Sequence, residues 1–216
     1  MERIFREGKA NHPVFIMLHG TGGNETNLLP LGEILDPEAA VLAIRGDVVE
    51  NGMLRYFKRK EEGVYDVEDL NQRGEALHQF IVESSKEYNF NLDDAVFVGF
   101  SNGSNIAMNI LLREDSQVNK GALFAPMYPV DVSHNTKDMK DSSIYLSMGE
   151  NDPIVSLNDS ENVVDIFETR GAEVTTFWVN SHELNGETAM QAKAWLNKVF
   201  KVGGQAVLGR QPTQTT

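Results

Sequence analysis

The pentapeptide "GFSNG", Gly99 to Gly103, sets a serine between two glycines, and the chain later supplies an aspartate in "GENDPIV", Asp152, and a histidine in "NSHELNG", His182. Serine, acid and base in that chain order suit nucleophilic acyl transfer. The Ser101 hydroxyl would attack, His182 would take its proton and pass it to the leaving group, and Asp152 would hold the imidazole tautomer and stabilise its cation. Glu150 and Glu183 compete for the acid's place. Asp152 is preferred because an Asp-Pro pair favours a turn that fixes the carboxylate. Of the remaining histidines, His78 falls in a helical stretch and His12 and His134 fall in polar loops, where a surface role suffices.

Such a trio works only if the chain brings it together. Short apolar bursts at Val14 to Leu18, Ala40 to Ile44, Ala95 to Phe100, Gly121 to Ala125, Ser143 to Met148 and Glu173 to Val179 read as buried strands. Helical spacing marks Thr26 to Leu35, Asp66 to Tyr88, Asn102 to Arg113, Leu157 to Arg170 and Gly186 to Phe200. Strand and helix alternate, which predicts an α/β fold with a mostly parallel central sheet covered on both faces by helices. Ser101 then sits at a strand-to-helix turn, where G-x-S-x-G forms a nucleophile elbow above the C-terminal edge of the sheet. Asp152 and His182 each follow a later strand and leave the same edge.

The run "LHGTGGNE" follows the strand ending at Leu18, and its glycines allow a tight loop beside the elbow. By position, the backbone N–H groups of Thr21 and Asn102 would form an oxyanion hole. A glycine-rich loop can also cradle phosphate, but neither G-x-G-x-x-G nor G-x-x-x-x-G-K-[ST] occurs here. This chemistry calls for no cofactor and no metal.

Composition narrows the field further. Hydrophobic residues make up 41% and charged residues 24% of the 216, values usual for a folded soluble domain. The net charge of -13 disfavours nucleic acid and anionic membrane surfaces as partners. A local basic run, Arg55, Lys58, Arg59 and Lys60, reads as a solvated loop. With no cysteine there is no disulfide, thiolate metal site or cysteine nucleophile. No apolar run approaches a membrane span, and the opening "MERIFREGKANHPVF" has no apolar h-region, so a cytoplasmic protein is expected. One domain over 1–202 is expected, followed by a flexible tail at 203–216 that is poor in bulky apolar residues. A homodimer is a common default for such proteins.

On "LHGTGGNE", "GFSNGSNIA", "GENDPIV" and "SHEL", together with "ENGMLRYFKR", "EGVYDVEDL" and "LFAPMYP", the chain from about Phe15 to Phe200 resembles the α/β-hydrolase superfamily. More narrowly, it resembles small bacterial carboxylesterase/phospholipase-type hydrolases. The resemblance implies an esterase with Ser101, Asp152 and His182 as its triad. One departure is Ser181, where such proteins commonly place glycine before the histidine.

The span from Pro126 to Ser142 is too short and polar for a helical lid, so an open, shallow site is expected. Its candidate walls are Met53, Leu54, Tyr56 and Phe57 on one loop, Met127 and Tyr128 on another, and Ile154 and Leu184 beside the acid and base. Such walls suit a small carboxylic ester, or a thioester, cleaved through an acyl-enzyme. The alternatives are a lysophospholipase or thioesterase acting on longer acyl chains, and a catalytically silent binding protein of the same shape. Serine at 101 disfavours a dienelactone-type hydrolase, which would place cysteine there, and a haloalkane dehalogenase, which would place aspartate.

Overall fold

A computed structural model of the protein describes residues 1–200. The expected tail at 203–216 lies outside the described residues. Seven strands form one sheet in the order β1-β3-β2-β8-β9-β10-β11. They are β1 (Arg3–Arg6), β2 (Val14–Leu18), β3 (Ala40–Ile44), β8 (Ala95–Phe100), β9 (Lys120–Phe124), β10 (Ser143–Gly149) and β11 (Glu173–Val179). All neighbours pair in parallel except β1, which runs antiparallel to β3 at the edge. Between β3 and the first long helix the chain makes two small hairpins, β4 (Val48–Glu50) with β5 (Met53–Arg55) and β6 (Arg59–Glu61) with β7 (Val64–Tyr65).

The apolar bursts become the inner strands because every residue of β2 and β3 is buried, as a sheet covered on both faces requires. Side chains alternate between two cores. On one face Ile16, Leu18, Leu42, Ile44 and Phe97 meet helices α2 (Val67–Glu87), α3 (Asn102–Leu111) and α4 (Leu157–Glu168). On the other, Phe15, Met17, Val41, Val96 and Val98 meet α1 (Leu29–Leu35) and α5 (Gly186–Val199).

The helix starts follow from capping chemistry. Asp66, Ser156 and Asn185 each accept a hydrogen bond from the backbone N–H three residues on, and Asn185 with Thr188 completes a reciprocal capping box. Strand β1 and the hairpins were not among the sequence-based expectations. "RIFR" carries a charge at either end, which suits a partly exposed edge strand, and the hairpin strands are too short for alternation to register. Between β9 and β10 no helix intervenes, and among the described residues no helical lid covers the C-terminal edge of the sheet.

Candidate active site

Strand β8 ends at Phe100 and α3 begins at Asn102, leaving Ser101 as the whole connection. Its backbone is forced to φ 50° and ψ -115°, a region that costs a non-glycine residue about 1–3 kcal/mol. Two hydrogen bonds hold it there: the Ser101 N–H donates to the Phe124 carbonyl at 2.8 Å, and the Ser101 carbonyl accepts from the Asn105 N–H at 3.0 Å. The flanking glycines make room for so abrupt a turn. A Cβ on Gly103 would stand 2.0 Å from the Leu18 carbonyl oxygen, and one on Gly99 would stand 2.8 Å from the Ser104 nitrogen.

The loops after β10 and β11 are tied to each other before they reach the serine. Glu150 N–H donates to Val179 O at 2.8 Å and Asn151 N–H to Asn180 O at 2.7 Å. This pairing sets Asp152 against His182. One Asp152 oxygen accepts the N–H groups of Ile154 and Val155 at 2.7 and 2.9 Å, while the other stands 2.7 Å from His182 Nδ1. The Asp152 side chain is 1% exposed and that of His182 is 12% exposed. His182 Nε2 in turn lies 2.9 Å from Ser101 Oγ. With the carboxylate accepting from Nδ1–H, the neutral tautomer leaves Nε2 as an acceptor for the serine O–H. Glu150, the alternative acid, is exposed, and Glu183 accepts from the Ser181 N–H at 3.3 Å. Ser181 therefore leaves the approach of His182 to Ser101 undisturbed.

The glycine-rich loop is anchored by His19. Its Nδ1–H donates to the Gly20 carbonyl at 2.7 Å and its Nε2 accepts from the Gly46 N–H at 3.0 Å. Burial holds the imidazole's pKa below its ordinary value, consistent with this neutral, fully engaged ring. Among the described residues, the Thr21 and Asn102 N–H groups have no protein acceptor, and both residues border the cleft above Ser101. The arrangement can accept a proton from Ser101 and offer two amides to a developing oxyanion.

That cleft encloses about 340 Å³. Met127 and Ile154 line it as expected, together with Phe100, Tyr65 and Asn105. The expected wall at 53–57 is different. Tyr56 and Phe57 are 4% and 0% exposed and belong to the core, because the largest apolar groups of the segment turn inward against Leu18, Ile44 and Leu70. Tyr56 is a hub there: its hydroxyl accepts from the His19 N–H at 2.9 Å and donates to the Ile44 carbonyl at 2.6 Å, while its own N–H donates to Asn102 Oδ1 at 2.8 Å. Met53 packs beside Gly22, and the Leu54 carbonyl accepts the Gly22 N–H at 2.9 Å, so these two brace the loop. Leu184 packs at the margin of the α1 and α5 core. Tyr128 is 3% exposed, and its hydroxyl meets Asn109 at 3.0 Å.

The residues that replace this apolar wall are Arg55 and Arg59. The basic run is not simply a solvated loop, since Arg55 is only 4% exposed. A larger depression of about 650 Å³ lies elsewhere, lined by Val132, Lys137, Asp165 and Arg170 among others, and contains none of the trio. Its cations are committed: Arg170 donates to the Val132, Asn135 and Ile166 carbonyls, and Lys137 donates to those of Leu111 and Arg113.

A mostly parallel sheet with helices on both faces and a serine elbow at its C-terminal edge defines an α/β-hydrolase-type carboxylic ester hydrolase. The chain belongs to the phospholipase/carboxylesterase family, whose signature matches residues 49–200. It is 37% identical over 201 residues to the Bacillus subtilis (strain 168) protein MhqD, which carries a provisional hydrolase name, covering 93% of this chain and 100% of that one. Among solved structures it is similar to a Bacillus cereus carboxylesterase, with TM-score 0.89, 41% identity and coverage of 93% of this chain and 95% of that one. It is also similar to the protein YahD, solved with malic acid, with TM-score 0.88, 27% identity and coverage of 92% and 98%.

Proposed function

We propose that the protein hydrolyses small carboxylic esters, and thioesters of similar size, through an acyl-enzyme on Ser101. The observation that carries this reading is the unbroken chain from Ser101 Oγ to His182 Nε2, 2.9 Å, and from His182 Nδ1 to Asp152, 2.7 Å. As Ser101 Oγ bonds to the carbonyl carbon, its proton passes to His182 Nε2. The carbonyl oxygen gains negative charge and is met by the N–H groups of Thr21 and Asn102, reinforced by the N-terminal end of α3. Collapse of the tetrahedral intermediate breaks the bond to the alcohol oxygen, which leaves with the proton from His182. Water then gives a proton to His182 and attacks the acyl carbon. The acid departs as Ser101 recovers its proton.

A cleft of about 340 Å³ stands at the lower end of the range for small-molecule sites. Together with the lidless edge, this favours a short acyl group over a long buried chain. The similar protein YahD was solved with malic acid, itself a small polar molecule, which is in keeping with a small polar ligand here. The test is hydrolysis of 4-nitrophenyl esters of increasing acyl length by the parent protein and by Ser101→Ala and His182→Ala. Turnover that is highest for short chains and lost in both variants is expected. Turnover rising steadily to long chains would favour the lysophospholipase reading.

A further inference from the structure

We propose that Arg55 and Arg59 form a carboxylate-recognising wall, so that the preferred substrate is a small ester bearing a free carboxylate. This rests on the serine-hydrolase reading and adds the chemical class of its substrate.

Both guanidinium groups line the same cleft as Ser101 and His182. Glu50 is the carboxylate that neighbours them both. It takes Arg59 Nη2 at 2.8 Å and Arg59 Nε at 2.9 Å, while Arg55 Nε stands 3.6 Å away. Arg59 holds the Glu50 carboxyl below its usual pKa, so Glu50 stays ionised and contributes one negative charge against two positive ones. Glu62 also lines the cleft and brings the formal charge of these four groups to zero, but it is exposed and forms no ion pair among the described residues, so buried Arg55 has only Glu50, 3.6 Å away, as a carboxylate partner there.

A buried, incompletely paired guanidinium is costly unless something further satisfies it. The partners of Arg55 within the protein are weak ones for a cation: Nη1 donates to Thr21 Oγ1 at 2.7 Å and Nε donates to the Phe57 carbonyl at 3.3 Å. The Thr21 contact also places the guanidinium beside the residue whose N–H serves the proposed oxyanion hole. A wall with so thinly paired a buried guanidinium calls for a ligand that only accepts hydrogen bonds, and a carboxylate is such a group.

The net charge of -13 makes the inference sharper. Long-range electrostatics of the whole chain oppose an anionic substrate, so any preference for one must come from local cations. The test compares each free acid with its neutral ester: monomethyl glutarate against dimethyl glutarate, with the charge on the acyl side, and acetoxyacetate against methyl acetoxyacetate, with the charge on the alcohol side. Hydrolysis is followed by proton release at constant pH, and the quantity read is the ratio of kcat/KM for the acid to that for its neutral partner. This ratio cancels any general loss of folded enzyme.

In at least one pair the parent protein should favour the acid by about tenfold, the discrimination expected of a charge-assisted hydrogen bond. That pair also assigns the side of the ester on which the carboxylate sits. In Arg59→Gln and Arg55→Gln the ratio should fall by about the same factor, mainly through KM, and Arg55→Lys should keep part of it. Neutral esters turned over with no preference for either acid, or a ratio unchanged in both glutamine variants, would overturn the carboxylate proposal and leave the serine-hydrolase reading standing. Absence of any ester turnover, together with absence of covalent labelling at Ser101, would overturn both.

Discussion

At the scale of single residues, the trio is held by contacts that predict its sensitivity. Asp152 uses one oxygen on the backbone N–H groups of Ile154 and Val155 and the other on His182, so the carboxylate is both fixed and oriented. Asp152→Asn keeps the shape but turns an acceptor into a donor and selects the wrong imidazole tautomer. Ester kcat should fall on the order of ten-thousandfold, the loss that the same change causes in a serine protease. Glu150→Gln should change kcat little, because Glu150 is exposed and Asp152 occupies the position beside His182. Steady-state kinetics on the two variants check this, and the opposite order would move the acid to Glu150. These residues were legible because each stands at the end of an apolar strand within a turn motif. Arg55 was not. In the run from Arg55 to Lys60 the sequence gives no measure of which cation turns inward, and that is set by the burial of neighbouring Tyr56 and Phe57.

At the scale of elements, the elbow and the segment from β4 to β7 carry the site. A methyl group at Gly103 has no room, standing 2.0 Å from the backbone oxygen of Leu18. Gly103→Ala should therefore force β2 and α3 apart, lowering the melting temperature and ester turnover together; an unchanged melting curve would show that the turn is looser than described. Tyr56 ties three elements, and Tyr56→Phe removes one hydroxyl that both accepts from His19 and donates to Ile44. Leaving two buried backbone groups unpaired should cost about 1–3 kcal/mol for each, read as a lower midpoint in urea unfolding. The elbow was legible because strand, glycine, serine and helix follow in one short stretch. The hairpins were not, since strands of two or three residues present no period and their placement depends on the core beneath them.

At the scale of the whole molecule, the alternation of strand and helix was sufficient to anticipate a covered parallel sheet, and the inner strands matched within a residue or two. The antiparallel edge strand β1 escaped because pairing with β3 is a long-range choice that the four residues "RIFR" do not announce. The two-sided core makes a separate prediction. Trp195 of α5 is 4% exposed and packs on Tyr145, with ring centroids 6.1 Å apart. Trp195→Ala should cost about 3–5 kcal/mol. For a chain of this size that lowers the melting temperature on the order of 10 °C. Differential scanning calorimetry checks it, and a shift near zero would mean that α5 contributes little to that face.

At all three scales the proposal rests on one serine made nucleophilic by its neighbours, and covalent labelling tests that most directly. The parent protein, Ser101→Ala and His182→Ala would each be exposed to a fluorophosphonate and weighed intact. A single adduct on the parent, located at Ser101 and missing from both variants, is the predicted result. A folded parent protein that takes up no adduct would contradict the account, for the geometry around Ser101 would then be present without activating it.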